Sequence, residues 1–292
     1  MNSTGANIGS GCLKEWNESG FSLLEILIAS FIGVLAMTGL FYLYKAQNKS
    51  MLVQIGISEL RMNGQYTLNE IQHYLAHAGL GLPAGFNGIL VVGGDLVVRI
   101  NESKKSIPAS KDGTSTSTSV IYRISASDTD LFRDKAYAAA HRGNSAVEGA
   151  IRSIKPRAGY PSEALVVLSG DQANFPSLTN LFPLDRMRLH RCTGVGADTL
   201  EGCFKVMPEN PGFGPGKRED SLTLAEGIES IRYRFVMANG DTLSTLPSNL
   251  NALSRVEIKV DARTRLRDPS LLEGGGFRRQ TLLAVVAYRR SL

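Results

Sequence analysis

Four histidines and three cysteines in 292 residues leave this chain poor in the side chains most used for metal binding and nucleophilic attack. No Ser/His/Asp grouping can be assembled around so few histidines, and no His-Glu-x-x-His pattern occurs, so neither enzymatic activity nor a cofactor is expected. His73 and His77, four apart, would share a helix face as two metal ligands, but histidines there also suit the negative end of a helix dipole. Asp128-Thr129-Asp130 lacks the spaced oxygen ligands and glycine of a calcium loop. The run Gly212-Phe213-Gly214-Pro215-Gly216-Lys217 is no phosphate loop, because Pro215 removes a donor and no Gly-Lys-Ser/Thr follows. Proline is also missing, from position 21 to position 82, and that absence permits one very long helix.

What fills that stretch is an uncharged apolar run over residues 26–44, with Glu25 at its lip. Nineteen residues at about 1.5 Å each span a hydrocarbon core of about 30 Å. Beyond it, Val53, Ile57, Leu60, Gly64, Leu68, Ile71, Leu75 and Ala78 recur every three or four positions, an amphipathic stripe. Gly79, Gly81 and Pro83 form a stop signal. A helix from Ser22 to Ala78 would extend roughly 85 Å. The small residues Ala29, Ser30, Gly33, Ala36 and Gly39 favour close helix packing in lipid, although such residues are common in any span. A removed secretory signal fits poorly, since its apolar stretch is shorter and a small-residue exit site should follow it. A plain single-span anchor remains an alternative.

The junction Gly20-Phe21-Ser22-Leu23-Leu24-Glu25 ahead of the apolar run resembles the N-terminus of type IV prepilins. The resemblance implies that a prepilin peptidase cuts between Gly20 and Phe21, that Phe21 becomes an N-methylated terminus, and that Glu25 pairs with a neighbouring subunit's N-terminus during assembly. A carboxylate in a membrane is costly, by about 2.5–3.5 kcal/mol at a helix centre, so it calls for a partner. The leader departs from the family's basic habit, setting Lys14 against Glu15 and Glu18, and the positive-inside rule alone does not orient the span.

Cleavage would remove Cys12 and leave Cys192 and Cys203, eleven positions apart. Outside the cytoplasm such a pair reads as a disulfide, the competing reading being a metal site with His190. Losing the leader would also take the formal charge from +5 to +6. The excess clusters at 186–191, 263–267, 278–279 and 289–290, so contact with DNA or anionic lipid is possible, against the simpler reading of solvated strand ends.

From residue 84 the texture turns to strands, expected at 88–92, 95–100, 119–124, 164–168, 204–207, 228–237, 255–261 and 279–289. Residues 114–119, rich in Ser and Thr, read as a loop, and no internal repeat or linker to a second domain is visible. The expected fold is α+β and pilin-like: a leader over 1–20, a long helix over 21–80, and a mostly antiparallel β head over 81–292 packed on the helix's second half. The segments Leu60-Arg61-Met62-Asn63-Gly64-Gln65-Tyr66 and Ile71-Gln72-His73-Tyr74-Leu75-Ala76-His77-Ala78-Gly79 are similar to PilW-type minor pilins. This resemblance implies a subunit held in the bacterial inner membrane with its head in the periplasm, then moved into a pilus at the cell surface. Its partners would be other minor and major pilins, and the filament would serve twitching motility or cell adhesion. The alternatives are a minor pseudopilin of a type II secretion system, or a membrane-anchored adhesin or DNA receptor outside any filament.

Overall fold

The computed structural model describes residues 22–83, 86–143, 145–170, 172–193, 202–208, 222–247, 250–264, 268, 271 and 276–288. Helix α1 (Leu23–His77) starts at Ser22, whose Oγ accepts the Leu24 N–H at 3.3 Å and whose carbonyl accepts those of Glu25 and Ile26. It stops where Gly79 takes φ +83° and turns its N–H to the Arg99 carbonyl, 2.9 Å away. The chain divides between Val53 and Gln54 into two compact units. In the first, α1 is exposed at every position from 23 to 52.

In the second unit, α1 buries the stripe Leu60, Gly64, Thr67, Leu68, Ile71 and Leu75. The strands are β1 (Ile89–Val92), β2 (Asp95–Ile100), β3 (Ile107–Lys111), β4 (Ser119–Ser125), β5 (Tyr137–Arg142), β6 (Ser145–Arg157) and β7 (Tyr160–Ser169). After them come β8 (Leu178–Thr193), β9 (Gly202–Pro208), β10 (Leu222–Glu226), β11 (Ile228–Met237), β12 (Thr242–Leu243), β13 (Leu253–Arg263) and β14 (Arg279–Ala287). All pairings among the described residues are antiparallel. The β1–β2 hairpin turns on Gly93-Gly94, both at positive φ (+61° and +90°), as a two-residue type I′ loop demands.

Sixteen-residue β8 belongs to two assemblies. Its second half lies between β2 and β9, giving the order β1-β2-β8-β9-β10. This layer, the sheet β12-β11-β13-β14 and α1 share one core, in which Leu60, Ile71 and Leu75 join Leu96, Phe204, Phe235, Ile258 and Val260. The second half of the helix is thus packed by an antiparallel β head, as its stripe implies. At Gly64 the helix and the sheet leave no room for a side chain: a Cβ there would lie 2.4 Å from Leu282 Cδ1 and 3.5 Å from the Ala262 Cβ.

The first half of β8 pairs with β3 on one side and β5 on the other, and the path β3-β4-β7-β6-β5 returns to β8. Six strands therefore close into a barrel, which removes their edges. Its interior is filled by alternate residues of the wall, among them Val120, Tyr122, Ile124, Val166, Leu168 and Leu181, together with Phe132 and Phe175 delivered by 3-10 turns. Tyr122 donates its hydroxyl to the Pro176 carbonyl at 2.7 Å, and burial pushes its phenol pKa up. The outer wall at Ala139, Phe182 and Leu184 is covered by Leu82 and Phe86.

The barrel is what the sequence reading lacked. All eight expected strands occur, several longer than expected, but β3, β5, β6, β8, β10 and the two-residue β12 have no counterpart among them. Pro108, Pro156 and Pro183 lie inside β3, β6 and β8, and β5 reads Tyr-Ala-Ala-Ala-His-Arg. Proline and alanine both argue against strand when only local propensity is weighed.

Candidate assembly site

Glu25 occupies the first turn of α1, where the free N–H groups of the helix favour a carboxylate. Its backbone N–H donates to the Ser22 carbonyl at 2.9 Å, and its side chain is exposed. The Gly20-Phe21 junction lies outside the described residues. From Leu23 onward follows the one helix among the described residues that is long and apolar enough to cross a membrane, with a mean hydropathy of 2.2 over its best window and none of that window buried. Leu23 is 79% exposed and Met37 72%, levels that leave a soluble helix with no reason to be apolar. The two aliphatic hydroxyls inside the span are satisfied by the helix itself: Ser30 Oγ donates to the Leu27 carbonyl at 2.9 Å and Thr38 Oγ1 to the Val34 carbonyl at 2.7 Å. That is the arrangement an apolar solvent requires.

Cys192 and Cys203 face each other in the β8–β9 ladder and form a disulfide, with Cα atoms 5.0 Å apart. The competing metal reading therefore loses two of its three ligands. His190 instead lies with Nδ1 2.9 Å from Asp95 Oδ2. The His73 and His77 rings lie 4.5 Å apart between centroids, tilted by 47°, and His77 Nδ1 sits 2.8 Å from the His73 carbonyl. Asp128 and Asp130 lie in a 3-10 turn (Ala126–Leu131), where Asp130 pairs with Arg133 at 3.3 Å. Among the described residues no three His, Cys, Asp or Glu side chains gather as a metal site. The 212–217 segment lies outside them.

The basic clusters are engaged within the head. Arg188 approaches Asp95 at 3.8 Å, Arg191 donates to the Glu229 carbonyl, Arg278 binds Asp268 at 2.9 Å, and Arg279 binds Glu229 at 2.8 Å. Positions 265–267 and 289–290 lie outside the described residues. Such internal pairing suits strand ends better than a phosphate-tracking surface.

One cluster has no counterpart in the sequence reading. Arg99 on β2 and Arg186 on β8 are direct cross-strand partners, a repulsive placement on its own. Glu148, from barrel strand β6, gives Oε2 to Arg99 and Oε1 to Arg186, both at 2.9 Å. Arg99 also lies over the Phe86 ring at 4.4 Å and Arg186 over Tyr137 at 4.3 Å. Burial lowers the Arg99 pKa, and Glu148 works against that shift. The three residues are 49 and 38 positions apart, so no local motif announces them. They pin the barrel to the layer that packs on α1.

No protein-family model matches this chain, no curated protein matches it, and no solved structure matches it.

Proposed function

We propose that the chain is a minor subunit of a type IV pilus that enters the filament through α1. The observation that carries this reading is the two-fold use of one helix. Its first part is apolar and bare with a single carboxylate in the first turn, and its second part is core to a β head. A lone globular protein has no use for such a helix, whereas a subunit stored in a membrane and then packed among neighbouring helices needs both parts.

On this reading Glu25 supplies direction and register. In the bilayer its charge lacks a protein partner, and the N-terminal ammonium of an adjacent subunit's Phe21 would relieve it at one axial offset. Breaking such a pair costs about 3–5 kcal/mol when one buried partner is lost. The head, with a whole barrel beyond what packs on the helix, is larger than filament packing requires, which favours a priming or tip position over a bulk one.

The test is N-terminal peptide mass spectrometry on protein from its native membranes, with and without the prepilin peptidase. The expected result is a start at Phe21 carrying one methyl group, lost when the peptidase is absent. An intact Met1 start, or cleavage beyond residue 44, would overturn the reading and leave a simple anchor or a secreted protein.

A further inference from the structure

We infer that one mouth of the barrel is a binding site for a small apolar carboxylate. Strand β6 runs on to Arg157, but β5 begins only at Tyr137, whose partner is Ala150. The last bond on that side joins the Ile151 N–H to the Ala136 carbonyl at 2.8 Å. Beyond it, among the described residues, 152–157 pair with β7 alone. The chain ahead of β5 is the 3-10 turn over 126–131 and the loop to Lys135, and a cleft of about 570 Å³ opens between it and the β6–β7 hairpin. That is the size of a small-molecule site, and barrel mouths are a place where such sites recur. The β6–β7 ladder also shifts register twice, between Ile151 and Ser153 and between Pro156 and Arg157. These bulges bracket Ile154, Lys155 and Pro156, which line the cleft, and bulges re-aim side chains beside functional sites.

The floor of the cleft is apolar. Phe132, Ile151 and Ala164 belong to the barrel core and also line the cleft, with Ile154 beside them and the exposed Pro156 and Pro161 at its lips. A ligand body seated there removes apolar surface from water. The polar lining is mostly spent within the protein. Thr129 Oγ1 donates to the Ala126 carbonyl at 2.9 Å, Arg133 pairs with Asp130 at 3.3 Å, and Lys135 binds Asp185 at 2.7 Å. Glu163 is taken by Arg157, which also lies over the Tyr160 ring at 4.1 Å. Lys155 is exposed, and it is the one charged lining residue without an ion pair among the described residues.

These side chains select the ligand. One unengaged ammonium on a flexible stem balances one negative charge. A dianion such as a phosphate ester would also meet the Glu163 carboxylate in the same cleft, a like charge that disfavours it. A ligand cation would meet three cationic side chains, Arg133, Lys135 and Lys155, against that single carboxylate. The ligand is thus a monoanion whose carboxylate accepts from Lys155 Nζ while its apolar body covers Phe132 and Ile154. The inference does not rest on the pilus reading, because a head outside any filament would present the same barrel mouth.

The experiment is a calorimetric titration of the full chain in detergent micelles, with micelles alone as the blank. The probe is naphthoate, and naphthalenemethanol and naphthylmethylammonium carry the same body without the negative charge. Naphthoate should bind saturably and about tenfold more tightly than the alcohol, as one charge-assisted hydrogen bond implies, and the ammonium should not bind. Lys155→Gln, changed at an exposed side chain, should lose about tenfold for naphthoate and leave the alcohol unaffected. Lys155→Arg, which keeps the charge, should bind nearly as the wild type does. Lys105→Gln, which removes the same charge at an exposed position outside the cleft, should bind as the wild type does. No saturable binding above the blank, equal binding of naphthoate and the alcohol, wild-type binding by Lys155→Gln, or an equal loss in Lys105→Gln would each overturn the proposal.

Discussion

Glu148 is the side chain on which two parts of the head depend. Removing it leaves Arg99 and Arg186 side by side, 11% and 12% exposed, with no shared carboxylate. Glu148→Ala should lower stability by about 3 kcal/mol, at the lower end of what breaking a buried pair costs because Glu148 is 24% exposed. Urea unfolding of the wild type and the variant measures it, and an unchanged midpoint would refute the pinning role. Asp261 offers a pH test. Burial alone would push its carboxyl up, but hydrogen bonds from Ser230, Thr281 and Arg232 outweigh that and hold the pKa down to about 2. A depressed carboxyl stabilises the fold above its unfolded value near 4, and that contribution fades as pH falls through the folded value. Between about pH 4 and pH 2 the wild type should lose about 1–2 kcal/mol that Asp261→Asn does not, once solvent screening is allowed for. Parallel pH–stability curves for the two proteins would count against it.

At the scale of elements, α1 sits against the sheet only as closely as Gly64 allows. Alanine there would displace the end of one flexible side chain, Leu282, and the cost should be small. Gly64→Val also has to clear Ala262, and overpacking of this kind costs about 1–3 kcal/mol. Thermal unfolding should therefore rank wild type and Gly64→Ala together, with Gly64→Val clearly below; a valine variant as stable as wild type would show that the helix rides further from the sheet. The Cys192–Cys203 bridge ties β8 to β9 beside the segment that links them. Replacing both cysteines with serine should cost about 2–3 kcal/mol, and reductant should lower the wild type by a similar amount while leaving the variant unchanged. Insensitivity of the wild type to reductant would mean that the bond contributes nothing to the folded head.

For the whole molecule, the membrane reading predicts that head and helix end fail separately. Glu25 lies in the first compact unit, so Glu25→Ala should unfold at the wild-type temperature yet be poorly recovered in sheared filaments. Normal incorporation would remove the charge-pairing mechanism. Much of this division is legible from one dimension. An unbroken apolar run, a three-four stripe and a glycine stop are local patterns, and α1 spans 23–77 where the pattern set 22–78. The strands of the helix-packing sheet were legible for the same reason: Val256, Ile258 and Val260 alternate with charged neighbours because one face is wet. Of the barrel strands, β4 and β7 were legible by alternation, whereas β3, β5, β6 and β8 escaped notice because their stability comes from closure. Pro108, Pro156 and Pro183 are tolerated because each is paired on one side only, opposite Asn180, Ala164 and Ala138, so a missing N–H interrupts no second ladder, and Ala138 and Ala140 fit a narrow interior. The Arg99–Glu148–Arg186 cluster and the open barrel mouth were hidden too, since both depend on which strands become neighbours. By itself, then, the sequence determined where the chain is apolar, where it is periodic and where its helix must end, because those are properties of residues a few positions apart. Only the tertiary structure decided that β8 serves two sheets, that six strands close on themselves and that β6 outruns β5 at the barrel mouth, because strand pairing joins residues whose separation along the chain carries no signal.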